Sequence, residues 1–161
     1  MGLDMYLEAR RTVAPGDPVL APVRQAIAGA IGYTPPAEKP GHVPDLMEIC
    51  AVVVRAGRWG NFWPLHNWFV NTVQEGHDDS RPVFLDADTL EDLEEILDQV
   101  DDDPDSASEY FMDETVDTVR LDPKDVDFTI RVIVQARKLQ AQGWDIYYLS
   151  LIHISEPTRP Y

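Results

Sequence analysis

Acidic side chains are concentrated in one segment of this chain, and that segment limits the folds open to it. Between residues 86 and 127 there are 18 acidic side chains against two basic ones, Arg120 and Lys124, a local balance of −16. The other residues carry 11 acidic and 11 basic side chains, so this acidic block, residues 86–127, accounts for the whole formal charge of −16. A segment with this density of carboxylates can fold only if the charged groups stay in contact with water. The acidic block is therefore predicted to be a solvated surface that keeps the protein soluble, with its helices burying only an apolar stripe.

Two helices with such stripes are predicted in and beyond the acidic block. Apolar side chains recur at helical intervals over 90–100, after a capping pattern formed by Asp88 and Glu91. The aspartates and the proline of 101–105 should end that helix, because they oppose its dipole and its hydrogen bonding. A second helix is predicted over 122–143, where an aspartate followed by proline opens it and a glycine ends it.

The upstream and closing segments carry strand patterns. Leu3, Met5 and Leu7 alternate with polar or aromatic neighbours, which predicts a half-buried first strand. A β-branched run over 49–54 predicts a buried strand, and 144–148 predicts a closing strand. We also predict helices at 23–31 and 62–74, a loop at 34–44, and short strands at 83–85 and 110–112.

These elements predict an α+β fold. At 161 residues and 44% hydrophobic side chains, the chain suits one domain with a modest core. We predict that residues 1–148 form a single α+β domain with a small mixed or antiparallel sheet covered by about four helices. The single Cys50 excludes an internal disulfide. No apolar run reaches the roughly 20 residues of a membrane span, and the charge repels nucleic-acid backbones, so we expect neither a membrane nor a nucleic acid as direct partner.

The C-terminal segment 149–161 is predicted to be non-native. Residues 149–159 read Leu-Ser-Leu-Ile-His-Ile-Ser-Glu-Pro-Thr-Arg and resemble the in-frame translation of a transposon-end sequencing adapter. That resemblance implies an open reading frame from environmental (metagenomic) sequencing that continued into the adapter, with a native end near Tyr148. We expect the segment to dangle or at most to lengthen the last strand, and we assign no function to it.

Standard catalytic and cofactor motifs are absent from the sequence. It has no glycine-rich phosphate loop, no paired-histidine zinc helix and no nucleophile turn between a strand and a helix. We therefore expect no catalytic residue, no cofactor and no bound metal. The alternative to this expectation is a metal site, because a divalent cation could be bound by His66, His77, Asp78 and Asp79. A glycine followed by acidic residues is also an ordinary way to end a helix.

Residues 58–68 hold the densest set of side chains suited to binding a ligand. Three tryptophans lie within ten residues, together with an arginine, an asparagine and a histidine. Indole faces stack on bases or sugars, arginine binds anions through paired hydrogen bonds, and asparagine and histidine recognise polar edges. Taken singly, aromatic residues at helical spacing are more often part of a core, whereas the cluster as a whole favours a ligand or partner surface. The candidate ligand-binding residues are Arg58, Trp59, Asn61, Trp63, His66, Trp68 and Tyr147.

Three ordered motifs connect the chain to a known group of sequences. It opens Met-Gly-Leu-Asp-Met-Tyr-Leu, carries His-Asn-Trp-Phe-Val at 66–70 and Val-Gln-Glu-Gly at 73–76, and has Trp-Asp-Ile-Tyr-Tyr at 144–148. In these motifs it resembles a family of small uncharacterised proteins of tailed phages and prophages. It departs from that family at Gly60-Asn61, where the family has Arg-Lys, and around 106–118, where the family is rich in Gly and Phe. The resemblance implies a viral origin and no established activity.

Three functions are compatible with these patterns. The first is a phage accessory protein that counters host defence by sequestering a small nucleotide-type signalling ligand, without catalysis and as a homo-oligomer, in the cytoplasm of the infected bacterium. The second is an acidic protein that mimics DNA and inhibits a basic host protein through the acidic block. The third is a hydrolase that depends on a divalent metal. The exposure of the tryptophans separates the first two, because buried rings cannot bind a ligand.

Overall fold

The α+β prediction is confirmed by the computed structural model, which describes residues 2–12, 18, 21–32, 51–113 and 115–153. Within these ranges the element order is β1 (Gly2–Thr12), α1 (Ala21–Ala30), β2 (Ala51–Gly60), α2 (Trp63–Val73), β3 (Val83–Leu85), α3 (Ala87–Asp102), α4 (Ala107–Tyr110), α5 (Pro123–Ala141) and β4 (Asp145–His153). None of these helices is both long enough and apolar enough to cross a bilayer.

The four strands form one open antiparallel sheet in the order β2-β1-β4-β3. β4 pairs with both of its neighbours, so that Leu7 lies opposite Tyr148 and Leu85 lies opposite Ile146. Successive strand residues point to opposite faces of a sheet. The two-residue period predicted for the first strand is accordingly visible in its burial: its odd-numbered members Leu3, Met5, Leu7 and Ala9 are at most 2% exposed.

By its internal packing the chain divides into two compact units, residues 1–10 with 54–161 and residues 11–53. In the first unit, the buried face of the sheet shares one apolar core with α2, α3 and α5. The second unit contains α1, which confirms the helix predicted at 23–31. The predicted loop at 34–44, together with Ile49 and Cys50, lies outside the described residues. That residues 1–148 form a single domain stays a prediction.

The N-cap predicted for α5 is confirmed, whereas the N-cap predicted for α3 is wrong. α5 begins after Asp122, whose carboxylate accepts a hydrogen bond from the Lys124 N–H at 2.8 Å, as predicted. α3 begins after Asp86, which accepts from the Thr89 N–H at 2.8 Å. The predicted cap at Asp88 is therefore wrong, because that residue already lies in the first helical turn. The apolar stripe of α3 is buried at Leu90, Leu93, Leu97 and Val100.

One of the two predicted short strands is wrong. Residues 83–85 do form a strand, β3, at an edge of the sheet. Residues 110–112 do not, because Tyr110 ends α4 and the Phe111 N–H donates to the Ala107 carbonyl at 2.9 Å. That helical hydrogen bond takes the donor that a strand would need, while the Phe111 side chain is buried in the core.

The closing strand is longer than the pattern at 144–148 indicated. β4 continues to His153, and residues 149–153 pair with residues 2–6 of β1. The segment thus lengthens the last strand, which is one of the two arrangements expected for it. Its adapter origin stays a prediction, and its residues 154–161 lie outside the described part of the chain.

Candidate functional site

The three tryptophans predicted to bind a ligand do not share a surface. Trp59 is 4% exposed and Trp68 is 9% exposed, and both belong to the core. The Trp59 Nε1–H donates to the Thr129 hydroxyl at 2.9 Å, which satisfies its polar group inside the protein. Only Trp63 is half-buried, with part of its ring accessible. Of the three predicted indoles, Trp63 alone is placed to contact a ligand.

Two polar members of the predicted set hold the sheet together. Arg58 on β2 donates to Asp4 Oδ1 at 3.0 Å, and this hydrogen bond and the charge of Asp4 raise the pKa of the guanidinium. Asn61 follows β2 in a left-handed conformation, with φ at 55°. Its Oδ1 accepts from the Leu3 N–H at 2.9 Å, and its own N–H donates to the Leu3 carbonyl at 2.8 Å. Both side chains therefore tie the end of β2 to β1.

Tyr147 lies on the other side of the sheet from the core. Its neighbour Tyr148 is fully buried in the core, and adjacent strand residues point to opposite faces. The Arg10 guanidinium lies 4.6 Å from the centroid of the Tyr147 ring, and Phe84 meets that ring edge to face at 5.8 Å. Tyr147 is thus not brought together with the residues of α2.

His66 is the buried centre of a hydrogen-bonded chain. Its ring is 3% exposed, with Nδ1 2.6 Å from the Tyr148 hydroxyl and Nε2 3.1 Å from Asp78 Oδ2. Because a carboxylate only accepts, the neutral imidazole carries its proton on Nε2 and the Tyr148 hydroxyl donates to Nδ1. The Ser80 N–H also donates to Asp78, at 3.2 Å. The chain connects α2 with β4 and with the segment that follows α2.

Burial sets the ionisation of this chain. Desolvation lowers the pKa of His66, although the charge and hydrogen bond of Asp78 act in the opposite direction. Burial also raises the pKa of Tyr148 far above its usual range, so the phenol stays protonated. Tyr148 has no exposed surface, so its hydroxyl is out of reach of a substrate. The Tyr148–His66–Asp78 chain is therefore a structural connection.

The lowered pKa of His66 predicts acid sensitivity. The unfolded chain takes up a proton on this residue below about pH 6.5, whereas the folded chain does so only at lower pH. The free energy of unfolding should therefore fall as the pH drops below about 6.5, and this contribution should level off below the folded pKa. Urea unfolding between about pH 8 and pH 5 should show a smaller pH slope for His66→Gln than for the natural sequence. Equal slopes in His66→Gln and in the natural protein would contradict the assignment.

The four residues of the metal alternative are not gathered into a ligand set. His66 and Asp78 bind each other, while Nδ1 of His77 lies 3.0 Å from the Glu75 carbonyl oxygen. Asp79 pairs with Arg81, whose hydrogen bonds lower the pKa of that carboxyl. In the ranges that the structure describes, no group of three His, Cys, Asp or Glu side chains is placed to hold a metal ion.

A groove beside α2 contains Trp63, the half-buried member of the three predicted tryptophans. It has a volume of about 560 Å³, within the range of roughly 300–1,000 Å³ usual for small-molecule sites. One wall is a face of α2, and the other is formed by Met112, Asp113 and Thr115. A hydrogen bond of 2.9 Å from Asn67 Nδ2 to the Met112 carbonyl ties the two walls together. The lining residues are Trp63, Asn67, Val70, Asn71, Gly76, Met112, Asp113 and Thr115.

Most of this groove was missed by the sequence-based set of candidates. Asn67 and Asn71 follow Trp63 at intervals of four residues, so helical periodicity alone could have placed them on the same face. The opposite wall gives no such signal, because Asn67 and Met112 are 45 residues apart in the chain. Their contact depends on the packing of the whole unit.

A functional assignment for this chain depends on its fold and its groove, because the comparisons with known proteins found no match. No family model, no curated protein and no solved structure matches this chain. What the structure defines is an α+β protein with an open antiparallel sheet and, beside its second helix, a groove that contains an indole, two amides and a carboxylate.

Proposed function

We propose that this protein captures a small nucleotide-type ligand, without catalysis, in the groove beside Trp63. The observation that carries the proposal is the combination of a half-buried indole with the Asn67 and Asn71 amides in one groove. Binding sites for small molecules typically join aromatic walls to a few polar groups that fix orientation.

The Trp63 ring is held in place before any ligand arrives. Its edge-to-face contact with His66 has a centroid distance of 5.6 Å and an interplanar angle of 82°. His66 is itself fixed by Tyr148 and Asp78. A ring positioned in this way loses little conformational entropy when a base stacks on it.

The biological setting of the proposal comes from the phage resemblance. A phage protein that binds a nucleotide-type signal without transforming it would lower the free concentration of that signal in the cytoplasm of the infected bacterium. It would thereby counter host defence. A homo-oligomer would present several copies of the groove.

Removing the Trp63 ring should weaken ligand binding by about tenfold. Stacking of an aromatic side chain on a base contributes about 1–3 kcal/mol, and that contribution is lost in Trp63→Ala. Isothermal titration calorimetry with a panel of linear and cyclic nucleotides measures the change. Trp63→Phe keeps a stacking face and should recover most of the affinity.

Two outcomes would contradict the proposal. One is the absence of binding across the panel when the natural protein is folded. The other is equal affinity in the natural protein and in Trp63→Ala, which would place any ligand elsewhere. Trp59→Phe serves as a matched control, because that ring is buried and lies outside the groove.

A second candidate function is inhibition of a basic host protein by DNA mimicry. Glu95, Asp98 and Asp102 are exposed on the face of α3 opposite to its buried stripe. Among the residues that the structure describes, the ion pairs of α3 are those of Arg137 with Glu91 and Glu94. The three outward carboxylates are thus open to a cationic partner, which supports this candidate.

A further inference from the structure

Both walls of the Trp63 groove carry hydrogen-bond acceptors. The Thr115 N–H and hydroxyl both donate to Asp113 Oδ1, at 2.9 and 2.5 Å. Within the described residues, Asp113 Oδ2 has no hydrogen-bond partner. Asn67 uses its Nδ2 on the Met112 carbonyl, so its Oδ1 is the atom left to face a ligand. A ligand that satisfies these atoms must bring donors.

The charge of the groove points the same way. The Thr115 hydrogen bonds lower the pKa of Asp113, so this carboxyl is an anion at neutral pH. Asp113 is the charged member of the lining, and none of the residues that line the groove in the described part of the chain is basic. The surrounding acidic block adds a field of the same sign. A phosphate placed in the groove would be repelled by Asp113, and no basic side chain among the described lining residues would offset that repulsion.

We propose that the groove recognises an amino-substituted nucleoside base with its ribose hydroxyls, and that any phosphate on the ligand stays in solvent. This inference rests on the proposed function and names which part of the ligand is bound. The base stacks on Trp63, and the Asp113 Oδ2 and Asn67 Oδ1 atoms accept hydrogen bonds from its amino group or from the ribose. The bound group is neutral or positively charged.

Calorimetry with matched ligands tests the inference. Adenosine should bind the natural protein at least as tightly as adenosine monophosphate, and at low salt about threefold more tightly, because phosphate repulsion is then least screened. Inosine, which has a carbonyl in place of the amino group, should bind about tenfold more weakly than adenosine, since it leaves an acceptor unpaired. Asp113→Asn should weaken adenosine about fivefold and remove the penalty on the monophosphate. Asp117→Asn, an exposed residue outside the groove, should change neither affinity.

The failures of the two proposals are distinguishable. If adenosine monophosphate binds ten times more tightly than adenosine, or if Asp113→Asn leaves both affinities unchanged, this inference is overturned while ligand capture in the groove stands. If neither ligand nor any other nucleotide of the panel binds the folded protein, the capture function itself is overturned. Thermal unfolding of each variant confirms that affinities are compared between folded proteins.

Discussion

Phe69→Ala should lower the free energy of unfolding by about 3–5 kcal/mol. Phe69 is fully buried, and its ring stacks on Tyr148 with a centroid distance of 4.2 Å and an interplanar angle of 17°. Trp68 meets the same ring edge to face at 5.2 Å. Alanine would lose these contacts and leave a cavity between α2 and β4, which the rigid sheet cannot close. Urea unfolding followed by tryptophan fluorescence measures the change.

Phe84→Ala is the matched control for this variant. It removes the same atoms from an edge strand, where the Phe84 side chain is 50% exposed and meets the Tyr147 ring edge to face. We expect a loss below about 1 kcal/mol, because exposed sites forfeit little burial. Similar losses for the two variants would contradict the assignment of Phe69 to the centre of the core.

The elements of the fold could be predicted from the sequence where a periodic pattern allows only one face to be buried. The alternation of Leu3, Met5 and Leu7 has one buried face, and the stripe over 90–100 has one buried side, so both burial patterns follow from the sequence. The cap of α3 was not decided by local pattern, because Asp86 and Asp88 are both good caps. The end of β3 at Leu85 fixes where the helix can start.

The site was only partly predictable, for a different physical reason. Trp59, Trp63 and Trp68 have the same chemistry and similar spacing, yet Trp59 and Trp68 are buried in the core and Trp63 is only half-buried. Which ring is buried depends on contacts between residues far apart in the chain. The bond between His66 and Tyr148 spans 82 residues and has no local signature.

Neutralising the outer face of α3 should abolish most binding to a basic partner if DNA mimicry is a function of this protein. The variant Glu95→Gln/Asp98→Asn/Asp102→Asn removes three exposed carboxylates that follow one another along that face. Exposed ion pairs contribute about 0.2–1 kcal/mol each, so the loss of three of them should weaken binding by about threefold to 150-fold. The probe is the set of bacterial proteins that a DNA column retains, applied to the immobilised protein at low salt and at high salt. Duplex DNA should compete with that binding.

A charge-matched control separates this surface from the net charge of the protein. Glu75→Gln/Asp79→Asn/Asp145→Asn removes the same number and type of carboxylates from exposed positions outside the acidic block. If the α3 face is the interface, this control should bind as the natural protein does. Binding of both proteins should also be lost at high salt, because salt screens an exposed charged interface over about 8 Å at physiological ionic strength. Equal losses in the two variants would show that only the total charge matters. Binding that persists at high salt, or that duplex DNA does not displace, would remove DNA mimicry as a function of this face.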